Sequence, residues 1–151
     1  QAAQGSFISS TYWTDRIGPV AALATLKKMK KVNVPKRIKT AAAQMRAGWT
    51  SMAKKHGLKI KVGGTVPYNV FSFLYDDAQA LKTLFTQEML ERGFLASTEF
   101  NPSCSHTSVL IKKYLRAVDG AFAEIKKAID TDSIRKRLRG PIAHSHFARL
   151  N

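Results

Sequence analysis

Residues 68–75, with the sequence YNVFSFLY, are the stretch of the chain that decides its fold. Aromatic and β-branched side chains dominate this stretch, and such residues favour β-strands because they pack well on a pleated surface. Just upstream, residues 58–62 alternate apolar and charged side chains with the period of a half-buried strand. The pair Gly63-Gly64 predicts a turn after them. The sequence therefore predicts two successive strands of a small sheet.

Four segments around these strands carry apolar residues at helical spacing. The predicted helices run from Asp15 to about Val32, from Pro35 to His56, from the Asp76-Asp77 cap to Gly93, and from Thr107 to about Asp130. The side chains expected to face inward from the last three helices are Ile38, Ala41, Ala42, Met45, Trp49, Met52, Leu81, Leu84, Phe85, Met89, Ile111, Tyr114, Leu115, Val118, Phe122, Ile125 and Ile129.

A third strand is expected at residues 94–97, after the third helix. The order is then two helices, two strands, a helix, a strand and a long helix. It predicts an α/β fold in the form of a two-layer α+β sandwich, in which helices cover a small three-stranded sheet. With 151 residues the chain is long enough to bury roughly 70% of the surface that its unfolded form exposes.

The charge of the chain is its most unusual bulk property. It has 25 Lys and Arg residues against 10 Asp and Glu residues, a formal net charge of +15. Clustered cations neutralise phosphates, so one hypothesis is a basic nucleic-acid-binding module. The alternative is that these charges are solvated helix faces and a basic tail, since net charge bears on association and solubility rather than on fold.

The sequence gives little support for a membrane or secreted protein. It has no run of about 18 apolar residues that could span a bilayer. No charged-then-apolar leader with a small-residue cleavage site is found, which gives secretion no support. A single cysteine, Cys104, rules out an internal disulfide framework. We therefore expect a reducing compartment and a cytoplasmic location.

Signatures of catalysis are mostly missing from the sequence. There is no GxxxxGK[ST] phosphate loop, and Gly63-Gly64 is not a GxGxxG motif. Cys104 and His106 could form a nucleophile pair, but such partners usually lie far apart in sequence, and a polar residue before a helix is the simpler interpretation of His106. His144 and His146 could be two metal ligands on one side of an extended segment, yet no further ligand completes a site. We expect no metal and no catalytic residue in this chain.

The N-terminal loop is rich in hydroxyl groups and leads directly into the first helix. The run SFISSTYWTDRIGPVAALATLKKM (residues 6–29) resembles the stretch that follows the cofactor-binding lysine of class III, pyridoxal-phosphate-dependent aminotransferases, and it is most similar to members related to glutamate-1-semialdehyde aminomutase. LFTQEMLERGFLA, SHTSVLIKKYLRAVDGAFAEI and RGPIAHSHFARL resemble later family segments in the same order. The resemblance covers essentially the whole chain.

This resemblance implies a function that the residues alone do not give. It implies a pyridoxal 5'-phosphate enzyme that moves an amino group to or from a keto or aldehyde substrate, as an aminotransferase or an aminomutase (an isomerase). It also implies a homodimer in which the N-terminal loop crosses the interface, with Thr11 contacting the cofactor phosphate and Ser10 beside it. A phosphate is suited to such a place, because the start of a helix favours anions.

The family's Schiff-base lysine and its pyridinium-pairing aspartate would lie upstream of Gln1. The resemblance therefore implies a C-terminal portion: residues 1–32 would end the large, cofactor-binding domain of a fold-type-I enzyme, and residues 33–151 would form its small domain. The proline-containing link at Asn33-Val-Pro35 suits a boundary there. We expect this chain alone to be inactive.

The substrate implied by the resemblance is a small amino-acid-like or amino-sugar-like molecule. Fold-type-I enzymes often use an arginine of the small domain for the substrate carboxylate, since a guanidinium binds a carboxylate with two parallel hydrogen bonds. The candidates in the basic tail are Arg135, Arg137, Arg139 and Arg149. Solvated tail charge is the simpler interpretation of each.

Overall fold

The computed structural model of the chain describes Gly5 and residues 15–144. The chain divides into two compact units, Gln1–Val34 and Pro35–Asn151. In the first unit, helix α1 (Ile17–Val32) begins after Asp15, whose Oδ1 atom accepts a hydrogen bond from the Ile17 N–H at 2.9 Å. The helix ends at Asn33, which adopts a left-handed backbone conformation with φ of 50°.

The second unit combines a three-stranded sheet with helices. Its elements are α2 (Val34–His56), β1 (Ile60–Thr65), β2 (Tyr68–Phe73), α3 (Ala78–Glu91), β3 (Glu99–Phe100), α4 (Ser108–Asp130) and α5 (Ile134–Arg137), where α2 begins one residue before the unit boundary. The strand order is β1-β2-β3, and both pairings are antiparallel. This arrangement confirms the predicted mixed α/β fold with a small three-stranded sheet. Among the described residues, no helix is both long and apolar enough to cross a membrane.

Strand β2 places its alternate side chains on two different faces of the sheet. Asn69, Phe71 and Phe73 are buried, whereas Tyr68 and Ser72 are exposed. This is the period of a strand with one face on a core. The buried face meets α2, α3 and α4, because the ring of Phe71 packs edge-on against three rings that these helices supply. The ring centroids lie 5.0 Å away for Trp49, 5.2 Å for Phe85 and 5.7 Å for Phe122.

The core of this unit is apolar and closely packed, and most of the inward-facing residues predicted from helical spacing belong to it. Tyr114, Leu115, Met52 and Ile129 are only partly buried and lie at its margin. The prediction for Ile38 is wrong, because this half-buried residue neither belongs to the core nor packs against it. The fully or nearly fully buried apolar residues are Ala41, Ala42, Met45, Trp49, Ala53, Leu58, Phe71, Phe73, Ala80, Leu81, Leu84, Phe85, Met89, Ile111, Val118, Ala121, Phe122, Ile125 and Ala128.

The predicted turn at Gly63-Gly64 is wrong, because both glycines lie inside β1. The hairpin instead turns at the next two residues, Val66 and Pro67, so that Thr65 pairs with Tyr68. Proline has no N–H to donate to a neighbouring strand, which suits the turn rather than the ladder. Gly64 is needed for a different reason: its φ is +88°, and a Cβ there would lie 2.1 Å from the Tyr68 carbonyl oxygen.

The predicted strand at residues 94–97 is also misplaced. These residues are irregular, and pairing begins only at β3. The backbone N–H groups of Gly93 and Phe94 donate to Leu90 and Met89 at the end of α3, at 2.9 Å each, so this segment closes the helix instead of joining the sheet. Gly93 has the positive φ, +80°, that is common after a helix. Its predicted role at the end of α3 is confirmed.

The C-terminal tail lies along α3. Gln79 donates to the carbonyl oxygens of Ala143 and His144, and Gln87 both donates to the Arg137 carbonyl and accepts from the Arg139 N–H. Thr83, one turn from each glutamine, accepts from the Ala143 N–H at 3.1 Å. Residues 79, 83 and 87 share one face of the helix because they are four positions apart. As far as His144, the tail is therefore bound to the domain.

We predict that Phe71→Ala lowers the free energy of unfolding by about 3–5 kcal/mol, because it removes a buried ring and leaves a cavity at the centre of the core. Urea denaturation of the two proteins measures the difference. The matched control is Ser72→Ala, the next residue along β2, which is exposed and should change the stability by less than about 0.5 kcal/mol. Equal losses for the two variants would contradict the central place of Phe71.

Candidate functional site

The two residues predicted to bind the cofactor phosphate, Ser10 and Thr11, lie outside the described residues. Their role stays a prediction. The described residues contain the other candidates, apart from Arg149 and His146, which also lie outside.

The three described tail arginines are each engaged by a carboxylate of the same unit. The pairs are Arg135–Asp77 at 2.9 Å, Arg137–Glu124 at 3.0 Å and Arg139–Glu91 at 2.7 Å. Glu124 also accepts from Lys127, and the hydrogen bonds from Lys127 and Arg137 hold the pKa of Glu124 below its ordinary value. This arrangement favours a structural role for these arginines, in which they hold the tail against α3 and α4.

The pairing of Asp77 with Arg135 also changes the predicted cap of α3. Asp77 does stand at the N-cap position, but its side chain makes no capping hydrogen bond to the helix. Its Oδ1 atom accepts from the Arg135 guanidinium instead. The N-cap of α4 does make such a bond, because the Thr107 hydroxyl oxygen accepts from the Leu110 N–H at 3.4 Å. The helix starts at Ser108, one residue after the predicted start.

His106 belongs to a turn and not to a nucleophile pair with Cys104. Its Nδ1 atom accepts from the Ser103 N–H at 2.9 Å and lies 3.1 Å from the Ser103 hydroxyl. Because Nδ1 accepts, the ring proton of the neutral imidazole is on Nε2. The imidazole packs edge-on against Phe100, with the ring centroids 4.8 Å apart. These contacts agree with the simpler interpretation of His106 as a polar residue before a helix.

No group of three or more His, Cys, Asp or Glu side chains that could hold a metal ion forms within the part of the chain that the structure describes. His144 is exposed, and its carbonyl oxygen accepts from Gln79.

A cavity of about 500 Å³ lies where the segment between α3 and α4 meets the N-terminal half of α4. Its walls are mainly apolar, with a few polar groups from Glu99, Asn101, His106 and Tyr114. Such a lining suits the apolar part of a small molecule with one or two hydrogen-bonding groups. The lining residues are Met45, Phe94, Leu95, Ala96, Ser97, Glu99, Phe100, Asn101, His106, Leu110, Ile111 and Tyr114.

Tyr114 lines this cavity and also packs against the core. Burial of its hydroxyl raises the pKa of Tyr114 to about 12. The neighbouring indole N–H of Trp49 acts in the opposite direction. That N–H is fully buried, and its approach to Tyr114 falls short of hydrogen-bond geometry. Tyr114 also packs edge-on against Phe94 at 5.6 Å. The hydroxyl therefore stays protonated at neutral pH.

A buried polar contact holds the end of the β1–β2 hairpin against α2. Asn69 is fully buried, and its Oδ1 atom accepts from Arg46 Nε. The same guanidinium donates to the carbonyl oxygens of Gly64 at 2.8 Å and Thr65 at 3.0 Å, and Asn69 Nδ2 donates to Val66 O at 3.1 Å. Every polar atom of the buried amide thus has a partner, as burial requires. Helix α2 is tied to the end of the hairpin by this contact.

Sequence reasoning missed the Arg46–Asn69 contact, although one signal was present. Asn69 is two positions from Phe71 in a segment of alternating side chains, so it has to face the core. A polar residue in such a position needs a buried partner. The sequence does not say which of the many cations supplies it.

Comparisons with known proteins show what this chain is similar to. No protein-family model matches the chain. Its sequence is 24% identical over 126 residues to an aminopentol aminotransferase from Sphingopyxis macrogoltabida, a match that covers 82% of this chain and 30% of the relative. Its fold matches the structure of the pyridoxal-phosphate internal aldimine form of the FumI protein from Sphingopyxis sp. MTA144, with a TM-score of 0.74 and 23% identity, over 86% of this chain and 32% of that chain.

The chain therefore spans about a third of the length of the relatives that it matches. Both matches agree with the predicted resemblance, because the relative by sequence is an aminotransferase and the neighbour by fold is a pyridoxal-phosphate protein. The structural likeness also confirms that the fold is that of part of such an enzyme.

We predict that loss of the Tyr114 hydroxyl proton lowers the free energy of unfolding at alkaline pH. Its pKa is raised from 10 to about 12 in the folded protein, so its contribution is fully present below pH 10 and is lost as the pH rises through 12. Two pKa units correspond to about 3 kcal/mol. Urea denaturation at several pH values from 8 to 12 measures the free energy of unfolding. Between pH 10 and 12 it should fall more steeply for the parent than for Tyr114→Phe, which has no proton to lose. Parallel curves for the two proteins would contradict a buried, protonated hydroxyl.

Proposed function

We propose that this chain is the C-terminal part of a pyridoxal-phosphate-dependent aminotransferase of class III, related to glutamate-1-semialdehyde aminomutase. The whole enzyme transfers an amino group to or from a keto or aldehyde substrate, between two molecules or within one. The observation that carries the proposal is that a match in sequence and a match in fold lead to the same kind of protein. The relative by sequence is an aminotransferase and the neighbour by fold is a pyridoxal-phosphate protein, and each match covers more than four-fifths of the chain.

In this proposal, residues 1–32 end the large domain and residues 33–151 form the small domain. The division of the chain into compact units between Val34 and Pro35 supports a boundary near this point. So does the end of α1 at Asn33.

The described residues by themselves do not fit the cofactor. A pyridoxal-phosphate site needs a lysine for the Schiff base and a charged partner for the pyridine nitrogen. Among the described residues, the buried polar side chains are those of Asn69 and Thr98, and no buried cation or carboxylate is present. We therefore assign no chemical step to this part of the chain. The cofactor, when bound, supplies the electron sink of the reaction.

The proposed contribution of this chain to the cofactor is the N-terminal loop. Thr11 would donate its hydroxyl proton to a phosphate oxygen, with Ser10 beside it, across the interface of a homodimer. The proposed substrate is a small amino-acid-like or amino-sugar-like molecule. A cytoplasmic, reducing location is proposed on the ground of the single cysteine, Cys104, which is free.

We expect the full-length protein, loaded with pyridoxal phosphate, to release a keto or aldehyde product from an amine donor, whereas residues 1–151 alone give no turnover. The reason is that this chain lacks a lysine that matches the Schiff-base motif. A coupled assay of product formation over a panel of amino acids and amino sugars measures both proteins. Robust turnover by residues 1–151 would contradict the proposal, as would a full-length protein that neither binds the cofactor nor reacts.

We predict that Thr11→Ala in the full-length protein weakens cofactor binding by about tenfold to a hundredfold, because hydrogen bonds to charged groups contribute about 1.5–3 kcal/mol. Thr11→Ser keeps the hydroxyl and should lose less. Titration of the apoenzyme with pyridoxal phosphate, followed by absorbance, measures the affinity. Sedimentation should show a weaker dimer when the cofactor is removed. Cofactor binding by Thr11→Ala that equals the parent would overturn the assignment of Thr11.

A further inference from the structure

The outer side of the α2–α4 pair carries a groove that none of the functions above uses. The two helices run in the same direction, since Gln44 bonds to Ser108 at one end and Lys55 bonds to Asp119 further along both helices. Between these contacts Leu115 lies directly on the backbone of α2. A Cβ on Gly48 would come within 2.3 Å of Leu115 Cδ1, so only glycine allows this approach without displacing the leucine. The groove has a volume of about 480 Å³.

The groove has an apolar floor and a positively charged rim. Met52, Val109 and Leu115 form the apolar part, and Val109 is 75% exposed. Lys112 and Arg116 line the groove. They lie on the same face of α4 as Val109, since the positions are three or four apart. Both cations are exposed, and neither has a hydrogen bond or an ion pair among the described residues.

The one carboxylate in the groove lining already has partners within the chain. Asp119 accepts from Lys55 Nζ at 2.6 and 2.8 Å and lies 2.7 Å from His56 Nε2. Hydrogen bonds from Lys55 and then His56 lower the pKa of Asp119, so it remains ionised and paired. The rim therefore presents two cations that no internal carboxylate satisfies.

From this charge pattern we propose that the groove is a docking site for an acidic amphipathic helix of a partner protein. Residues 109–119 of α4 extend over about 15 Å, at 1.5 Å per residue, which matches about three turns of a bound helix. Leucine-like side chains of the partner would fill the floor, and carboxylates on its flanks would meet Lys112 and Arg116. An apolar helix face laid into a groove is a common mode of peptide recognition.

Other occupants agree less well with the groove. None of its lining residues is aromatic, so it offers no platform for the stacked bases of a single-stranded nucleic acid. A membrane surface is met by several protruding apolar side chains, whereas Val109 is the one largely exposed apolar residue in this lining and Met52 and Leu115 are half-buried. A second copy of this chain is a poor source of acidic side chains. It has 10 carboxylates against 25 cations, and seven of those carboxylates are in ion pairs among the described residues.

The test uses a fluorescein-labelled peptide of about 16 residues, with leucines on one helical face and glutamates beside them. Fluorescence anisotropy with the full-length protein should show saturable binding that weakens as salt is added. Lys112→Glu/Arg116→Glu should weaken binding by at least about tenfold, and Val109→Ser by a smaller factor. The matched control is Arg37→Glu/Lys39→Glu, which makes the same change in charge on exposed positions near the start of α2. It should bind as the parent does.

Each other outcome has a defined meaning. Equal losses for the two double variants would mean that binding follows net charge, and unchanged binding by Lys112→Glu/Arg116→Glu would exclude the groove; both overturn the proposal. A peptide with lysines in place of the glutamates should not bind. If duplex DNA or phosphatidylserine vesicles bind with the same dependence on Lys112 and Arg116 while the peptide does not, the assigned partner is wrong. Circular dichroism checks the fold, and Lys112→Gln/Arg116→Gln replaces the charge reversal if that variant unfolds.

Discussion

The packing of the Phe71 ring is the contact on which the second unit depends. Phe71 stands in the middle of the central strand, and helices α2, α3 and α4 each place one aromatic ring against it. Edge-on ring pairs of this kind add about 0.5–1.5 kcal/mol each beyond the area that they bury. A single side chain therefore sets where three helices lie relative to the sheet. A substitution at the margin of the unit would not disturb contacts with all three helices.

A sheet that uses one face in this way has a second face with different properties. Tyr68 and Ser72 are exposed on the side of β2 opposite to Phe71. The end of the hairpin is held not by a second layer but by Arg46, which reaches from α2 to Asn69 and to two strand carbonyl groups. The planar guanidinium suits this task because its donors form a fixed fork, which a lysine lacks. Polar contacts thus hold the hairpin end of the sheet in place, where the apolar core does not reach.

The sequence predicts the helices of this protein better than its strands, for a physical reason. Helices α2 and α4 repeat their apolar positions over 23 residues each, so the period is clear and their bounds follow within a residue or two. Strand β3 has only two residues, which is too short for an alternating pattern, and the neighbouring Phe94 follows the end of α3 instead. Gly63 and Gly64 resemble a turn in composition, but Pro67 decides where the chain reverses.

The candidate sites were less predictable than the fold, because the role of a charged residue depends on which other charges the fold brings near it. Arg135, Arg137 and Arg139 are close in sequence to one another, yet their partners come from α3, α4 and the residue before α3. Lys112 and Arg116, by contrast, have no hydrogen bond or ion pair within the part of the chain that the structure describes. The cations behind the net charge of +15 therefore differ in whether the fold places a carboxylate beside them. Much of the charge of the tail stabilises its own attachment. The cations beside Leu115 have no such internal role, which is why we assign them to the proposed docking site.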